Sequence, residues 1–147
     1  MIFKDIWKLV LSGEKTQTRR LVQPGDSAEY NDPDNQDSIT QVVRTADSGV
    51  PKVVFEVGKS YPVQSGPGKK TMSSIIITAI RRERLQDITE SDALKEFPGV
   101  SPDETLTDSQ WALKAFSQMW DTWHPEEGAR WQDNPEVWVI EFKLPFK

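Results

Sequence analysis

The run Met72 to Arg82, centred on Ile75-Ile76-Ile77-Thr78-Ala79-Ile80, is the most β-branched stretch of the chain and constrains the fold more than any other feature. Branched side chains pack well on a pleated surface, so the run predicts a strand buried on both faces. Such a strand needs partners. Glu136 to Leu144 supplies one, alternating Trp138, Ile140, Phe142 and Leu144 on one side with Glu141 and Lys143 on the other. Val53-Val54-Phe55 and Val57 to Gln64 read as strand, turn, strand, and Pro62, which has no N–H for a ladder, confines the second to an edge or a bulge.

Three helices accompany the strands. Residues 2–12 set Phe3, Ile6, Trp7, Val10 and Leu11 at helical spacing, and Gly13 follows as a C-terminal cap. Thr89 as N-cap with Asp92 three residues later starts a second helix, with Ile88 placed to pack on Ala93 and Pro98-Gly99 ending it near Phe97. Asp108 to Thr122 forms a third, with Ala112, Phe116, Met119, Trp120 and Trp123 on one face. That stripe is read as core rather than as a base-stacking platform, because a helix needs such a face to fold. Strands interrupted by helices at one place predict an α+β fold, a small curved sheet or partial barrel capped by helices.

Residues 23–52 differ. Pro24-Gly25, Asn31 to Asn35 and Ser48 to Pro51 are breaker signals and apolar residues are sparse, so an irregular acidic excursion is expected, with Ile39 to Arg44 as a short strand within it. At 147 residues the chain suits one domain spanning 1–147.

Composition narrows the function classes. There is no cysteine and one histidine, His124, which leaves no thiol nucleophile and too few ligands for a zinc centre; neither metal nor cofactor is expected. No apolar run could cross a bilayer and the first residues lack a signal-peptide pattern, so the expected compartment is the cytoplasm, without a membrane partner. A net charge of -5 argues against coating duplex DNA. The signs are segregated, however, with bases at Lys15 to Arg20, Lys69-Lys70 and Arg81 to Arg84.

The densest chemistry is Gly13-Glu14-Lys15-Thr16-Gln17-Thr18-Arg19-Arg20. As a strand it offers Lys15, Gln17 and Arg19 on one face for phosphates or base edges, with Thr16, Thr18 and Arg20 on the other. A solvated edge strand guarded by charge is the plain alternative. A third reading makes Lys15 a desolvated base that activates Thr18, which requires Lys15 to sit in the turn before the strand or a bulge between them.

At these residues the sequence resembles the ASCH domains of the PUA-like superfamily, whose signature of glycine, any residue, lysine, four residues and arginine is met by Gly13, Lys15 and Arg20. The likeness continues through Val57 to Gln64, the loop Gly66-Pro67-Gly68-Lys69-Lys70, the isoleucine run, Asp87 to Glu90 and Trp138 to Phe142. The resemblance implies a small β-barrel with flanking helices, a cleft at the lysine motif, and binding of RNA or modified nucleosides through Lys15, Gln17, Arg19, Arg20, Lys69 and Lys70. One branch, the bacterial N4-acetylcytidine amidohydrolases, is similar at Gly-x-Lys-Thr-x-Thr-x-Arg. It implies a catalytic Lys15, Thr18 and Glu96, with Asp92 the choice one helical turn earlier. The acidic excursion and the tryptophan-rich helix look more like ASCH proteins of prophage-type sequences. The excursion itself is expected either to shield the basic cleft as a polyanion mimic or to be a bare insertion.

Overall fold

The computed structural model describes residues 1–145. The chain runs through a 3₁₀ turn (Lys4–Ile6), α1 (Trp7–Leu11), β1 (Gln17–Leu21), β2 (Asp26–Tyr30), β3 (Ile39–Thr45), β4 (Pro51–Glu56), β5 (Ser60–Val63), β6 (Ser73–Arg84), α2 (Glu90–Glu96), α3 (Asp108–Trp123) and β7 (Glu136–Lys143). Two antiparallel sheets result, ordered β1-β7-β6-β5 and β2-β3-β4. The α+β class is as the sequence predicts. In place of a closed barrel the sheets meet at a corner, where Val57 N–H donates to Thr40 O and Gly58 N–H to Ile77 O at 2.9 and 2.8 Å.

The strand buried on both faces is β7 rather than β6. Val137, Trp138, Val139 and Ile140 are all 0% exposed, whereas β6 hides Ile75, Ile77 and Ile80 and leaves Thr78 and Arg82 exposed. The reason is what lies above and below the sheet: helix residues cover one face of β7 and the small sheet covers the other. Val137 and Val139 pack on Ala93, Ala112, Phe116 and Trp120 of the two long helices. Trp138 and Ile140 face Ile39 and Val42 of the small sheet, and Phe142 joins Phe3 and Val10. Burying one such aliphatic side chain stabilises by about 1.5–3 kcal/mol. Pro62 lies in β5, an edge strand, as its missing N–H demands.

Residues 23–52 depart from the expectation of an irregular excursion: they form β2, β3 and the start of β4. Weak alternation concealed them, since few apolar side chains reach the interior from these strands. Two local constraints hold the turn instead. Gly25 adopts φ +87°, and a Cβ there would stand 2.2 Å from Thr45 O, so only glycine fits where Thr45 N–H donates to Gly25 O. Asp26 accepts from Arg44 Nε at 2.6 Å and from the Trp138 indole of β7 at 2.9 Å, which ties the small sheet to the large one.

Burial works to raise the Asp26 pKa, but the hydrogen bonds from Arg44, Trp138 and the Gln23 N–H outweigh it and hold the carboxyl below the usual range. A carboxyl depressed on folding stabilises above its unfolded pKa of about 3.9, and that contribution fades as pH falls through the folded value. Asp26→Ala is therefore expected to cost about 1–3 kcal/mol at pH 7 in urea denaturation and much less at pH 2.5. Equal costs at both pH values would contradict the anchoring role.

Candidate functional site

Lys15 is placed by the end of α1. Gly13, at φ +82°, donates its N–H to Val10 O, and Lys15 N–H then donates back to Leu9 O at 3.0 Å. The residue thus lies in the turn before β1 and escapes strand alternation, as the base reading demands. Its Nζ donates to Gln17 O at 2.7 Å, Glu96 O at 2.9 Å and Glu96 Oε1 at 2.7 Å. These are three donors for three acceptors, in a side chain only 1% exposed. Burial lowers the Lys15 pKa, Glu96 opposes that shift, and Arg20 and Arg19 add to it.

Glu96 closes α2, a helix started by Thr89, whose hydroxyl accepts from Asp92 N–H at 3.0 Å. Its second oxygen accepts from Arg19 Nη1 at 3.0 Å, so one buried carboxylate bridges two buried cations. Arg19 also meets Glu83 at 2.6 Å and Asp92 at 3.6 Å. Gln17 donates to Asp92 and Glu141 and accepts from Arg19 at 2.5 Å.

The expected cationic face of Lys15, Gln17 and Arg19 is therefore turned inward. Each of these side chains is at most 4% exposed and engaged with protein partners, which removes them from contact with a phosphate backbone. Lys69 and Lys70 are exposed on the loop after β5, outside the cavity described next, although Pro67 of that loop reaches it. The basic run Arg81 to Arg84 is paired as well: Arg81 with Asp92, Arg82 and Arg84 with Glu136.

A cavity of about 240 Å³ lies along the outer edge of β1, between the first residues of the chain and the helices α2 and α3. Lys15, Thr18, Arg19, Arg20 and Glu96 line its polar part; Phe3, Phe116, Trp120, Trp123 and His124 supply its aromatic walls. Glu96, rather than Asp92, belongs to the lining, and no residue of 23–52 does, so the acidic segment shields nothing here. Thr18 and Lys15 share the cavity, yet the Lys15 ammonium is spent on Gln17 and Glu96, and no hydrogen bond joins it to Thr18.

The aromatic walls and His124 escaped the sequence reading. Phe116 and Trp120 are core, at 3% and 2% exposed, as the helical stripe predicts, and both also contribute to the cavity lining. The His124 ring stacks on Trp120 with centroids 4.1 Å apart, and the indole of Trp120 is pinned by donation to Ala129 O at 2.7 Å. Burial lowers the His124 pKa, with Arg20 and Lys4 adding to the effect and Glu126 opposing it. A lone histidine one residue past a helix end carries no motif; a cue lay only in its i+4 spacing from Trp120.

The edge of β1 adds backbone chemistry. Phe142 N–H donates to Thr16 O and Val22 N–H to Glu136 O, which sets residues 16, 18, 20 and 22 as the hydrogen-bonded partners of β7. Gln17 and Arg19 therefore aim their backbone N–H and C=O groups outward. Lys15 takes Gln17 O. Among the described residues nothing takes the N–H or C=O of Arg19, a cavity-lining residue.

Two crystal structures share this fold. A protein of the DUF984 family from Enterococcus faecalis is 13% identical over 97% of this chain and 71% of its own, with a TM-score of 0.55. An ASCH domain from Lactobacillus crispatus is 20% identical over 94% of this chain and 69% of its own, with a TM-score of 0.52. No protein-family model matches the chain, and no curated protein sequence does. The protein is thus an α+β molecule whose fold is like that of the ASCH domain. Among the described residues no helix is long and apolar enough to cross a membrane, and no group of three or more metal-ligating side chains assembles.

Removing one partner of a buried ion pair strands the other charge. Glu96→Ala, which strands both Lys15 and Arg19, is expected to cost about 3–5 kcal/mol in denaturant unfolding. A loss under about 1 kcal/mol would mean that the pair is not closed in solution.

Proposed function

We propose that the protein binds a single modified nucleoside, base first, in the cavity beside β1. The observation that carries this reading is the combination of aromatic residues with a polar strip in one cavity lining: Thr18, the Lys15–Glu96 pair and Arg19, whose backbone N–H and C=O point away from β7. A flat heterocycle is the ligand class that uses both. Its faces stack on aromatic rings, each stack contributing about 1–3 kcal/mol. Its edge sets donors beside acceptors, as an open strand edge does. A cavity near 240 Å³ takes one base with part of its sugar and has no room for a duplex. An overall charge of -5, with the main arginine cluster paired, gives no track for a long polyanion.

Intrinsic tryptophan fluorescence reads this directly, since Trp120 and Trp123 line the cavity. Cytidine or N4-acetylcytidine is expected to give a saturable change, and Trp123→Ala to weaken binding about five- to a hundredfold. No saturation up to millimolar nucleoside would sink the proposal, as would full affinity in the variant.

A second reading, removal of an acyl group from such a nucleoside, is favoured by one observation: Lys15, Thr18 and Glu96 line the same cavity, with the Lys15 pKa lowered by burial. The neutral amine takes the Thr18 proton, Oγ attacks the amide carbonyl, and Lys15 returns the proton to the leaving exocyclic amine. Water then cleaves the threonyl ester. Lys15 must first turn from Gln17 O, because all three ammonium protons are committed. The base is the deprotonated form, so hydrolysis of N4-acetylcytidine is expected to rise with pH, with an apparent pKa below the ordinary lysine value of about 10.4, and to vanish in Lys15→Ala. Chromatography showing no cytidine at enzyme equimolar with N4-acetylcytidine would eliminate this activity.

A further inference from the structure

Arg20 stands apart from the other cations of the cavity. Lys15 and Arg19 are each matched by buried or half-buried carboxylates. Among the described residues Arg20 has no carboxylate within ion-pair distance. Its Nη2 donates to Ile2 O at 2.8 Å, its guanidinium lies 5.2 Å from the centroid of the Phe3 ring, and its Nε is shut off from solvent with no protein acceptor. Arg20 is half-buried, and even partial burial of a guanidinium without a counter-charge is costly. Burial accordingly lowers the Arg20 pKa, with Glu96 the opposing influence.

Geometry fixes where that charge sits. Phe3 N–H donates to Gln64 O and Gln64 N–H to Met1 O, at 2.9 and 3.0 Å, so the strap carrying Ile2 O is stapled beside β5 and holds the guanidinium against the cavity wall. Lys4, exposed, lines the same side. Arg20 and Lys4 both favour the neutral His124 ring, against the opposing influence of Glu126, which is larger than either. The cavity lining carries four cations, Lys4, Lys15, Arg19 and Arg20, against the single carboxylate of Glu96. Glu83 and Asp92 answer Arg19 from behind. The surplus falls on the Arg20 and Lys4 side.

A planar guanidinium with unspent donors matches the paired oxygens of a phosphomonoester. We infer that the ligand of this cavity is a nucleoside monophosphate, its base along the β1 edge and its phosphate on the Arg20 fork beside Lys4. The inference rests on the nucleoside reading above and adds the anion to it. A neutral nucleoside leaves the Arg20 charge uncompensated; a monophosphate compensates it inside the site.

The test is calorimetric titration of the full chain with cytidine, cytidine 5′-monophosphate and cytidine 3′-monophosphate, whose two phosphate positions distinguish the direction of the sugar. One of the two monophosphates is expected to bind at least about tenfold more tightly than cytidine. That ratio should shrink between 50 and 300 mM salt. In Arg20→Gln the ratio should fall toward one; Arg20→Lys, which keeps a cation and guards against a folding defect in the first variant, should retain part of it. Cytidine binding as tightly as both monophosphates would overturn the inference and leave the nucleoside reading standing. A ratio unchanged in Arg20→Gln would overturn the assignment to Arg20. No binding of any of the three would remove both readings together.

Discussion

The Lys15–Glu96–Arg19 cluster is the constraint on which the site depends. One carboxylate at the end of α2 closes on two cations that flank the start of β1, and the 2.7 and 3.0 Å contacts fix the helix against the strand edge. Buried ions hold their charge only when each polar atom finds a partner, and here the partners come from three elements far apart in the chain. Because Lys15 also holds Gln17 O and Glu96 O, the edge of β1 cannot drift without breaking the pair. The cavity wall is rigid for that reason. Pre-organisation of this kind lowers the entropic cost of binding a small ligand.

The two faces of β7 translate that local rigidity into a layered molecule. One face roofs the helices through Val137 and Val139, the other carries the small sheet through Trp138 and Ile140. None of the acidic strands lines the cavity. Their contribution is to cover an apolar face that would otherwise be open, and Asp26 links them to β7. Since the cavity lining holds four cations and one carboxylate, a chain with net charge -5 keeps a cationic pocket.

Much of the fold was legible because local rules governed it. The Thr89 cap, the Pro98-Gly99 stop, the α3 stripe and the edge position of Pro62 each follow from one backbone or burial requirement, and all hold. The small sheet was not legible, since its strands are specified by Gly25, by Asp26 and by a tertiary surface rather than by alternation. β6 and β7 exchange burial roles for a related reason: burial on two faces depends on the layers that pack above and below a strand, and its own residues record only its tolerance. At the site, the family resemblance points to Lys15, Thr18, Arg20 and Glu96, and all four line one cavity. The sequence offers Lys15, Gln17 and Arg19 as a face of cations and an amide, because alternation says nothing about which carboxylates a helix will bring opposite. His124 and the second role of Trp120 are products of packing alone.

In the proposed complex a single base is held flat between aromatic side chains, with its edge on the open side of β1. A crystal structure of the protein grown with N4-acetylcytidine or cytidine monophosphate tests it most directly. The account predicts density inside the cavity, the base plane against Trp120, Trp123 or His124, and a base-edge atom within about 3 Å of the Arg19 backbone N–H or C=O. Density over the exposed Lys69-Lys70 loop, with the cavity bypassed, would contradict it.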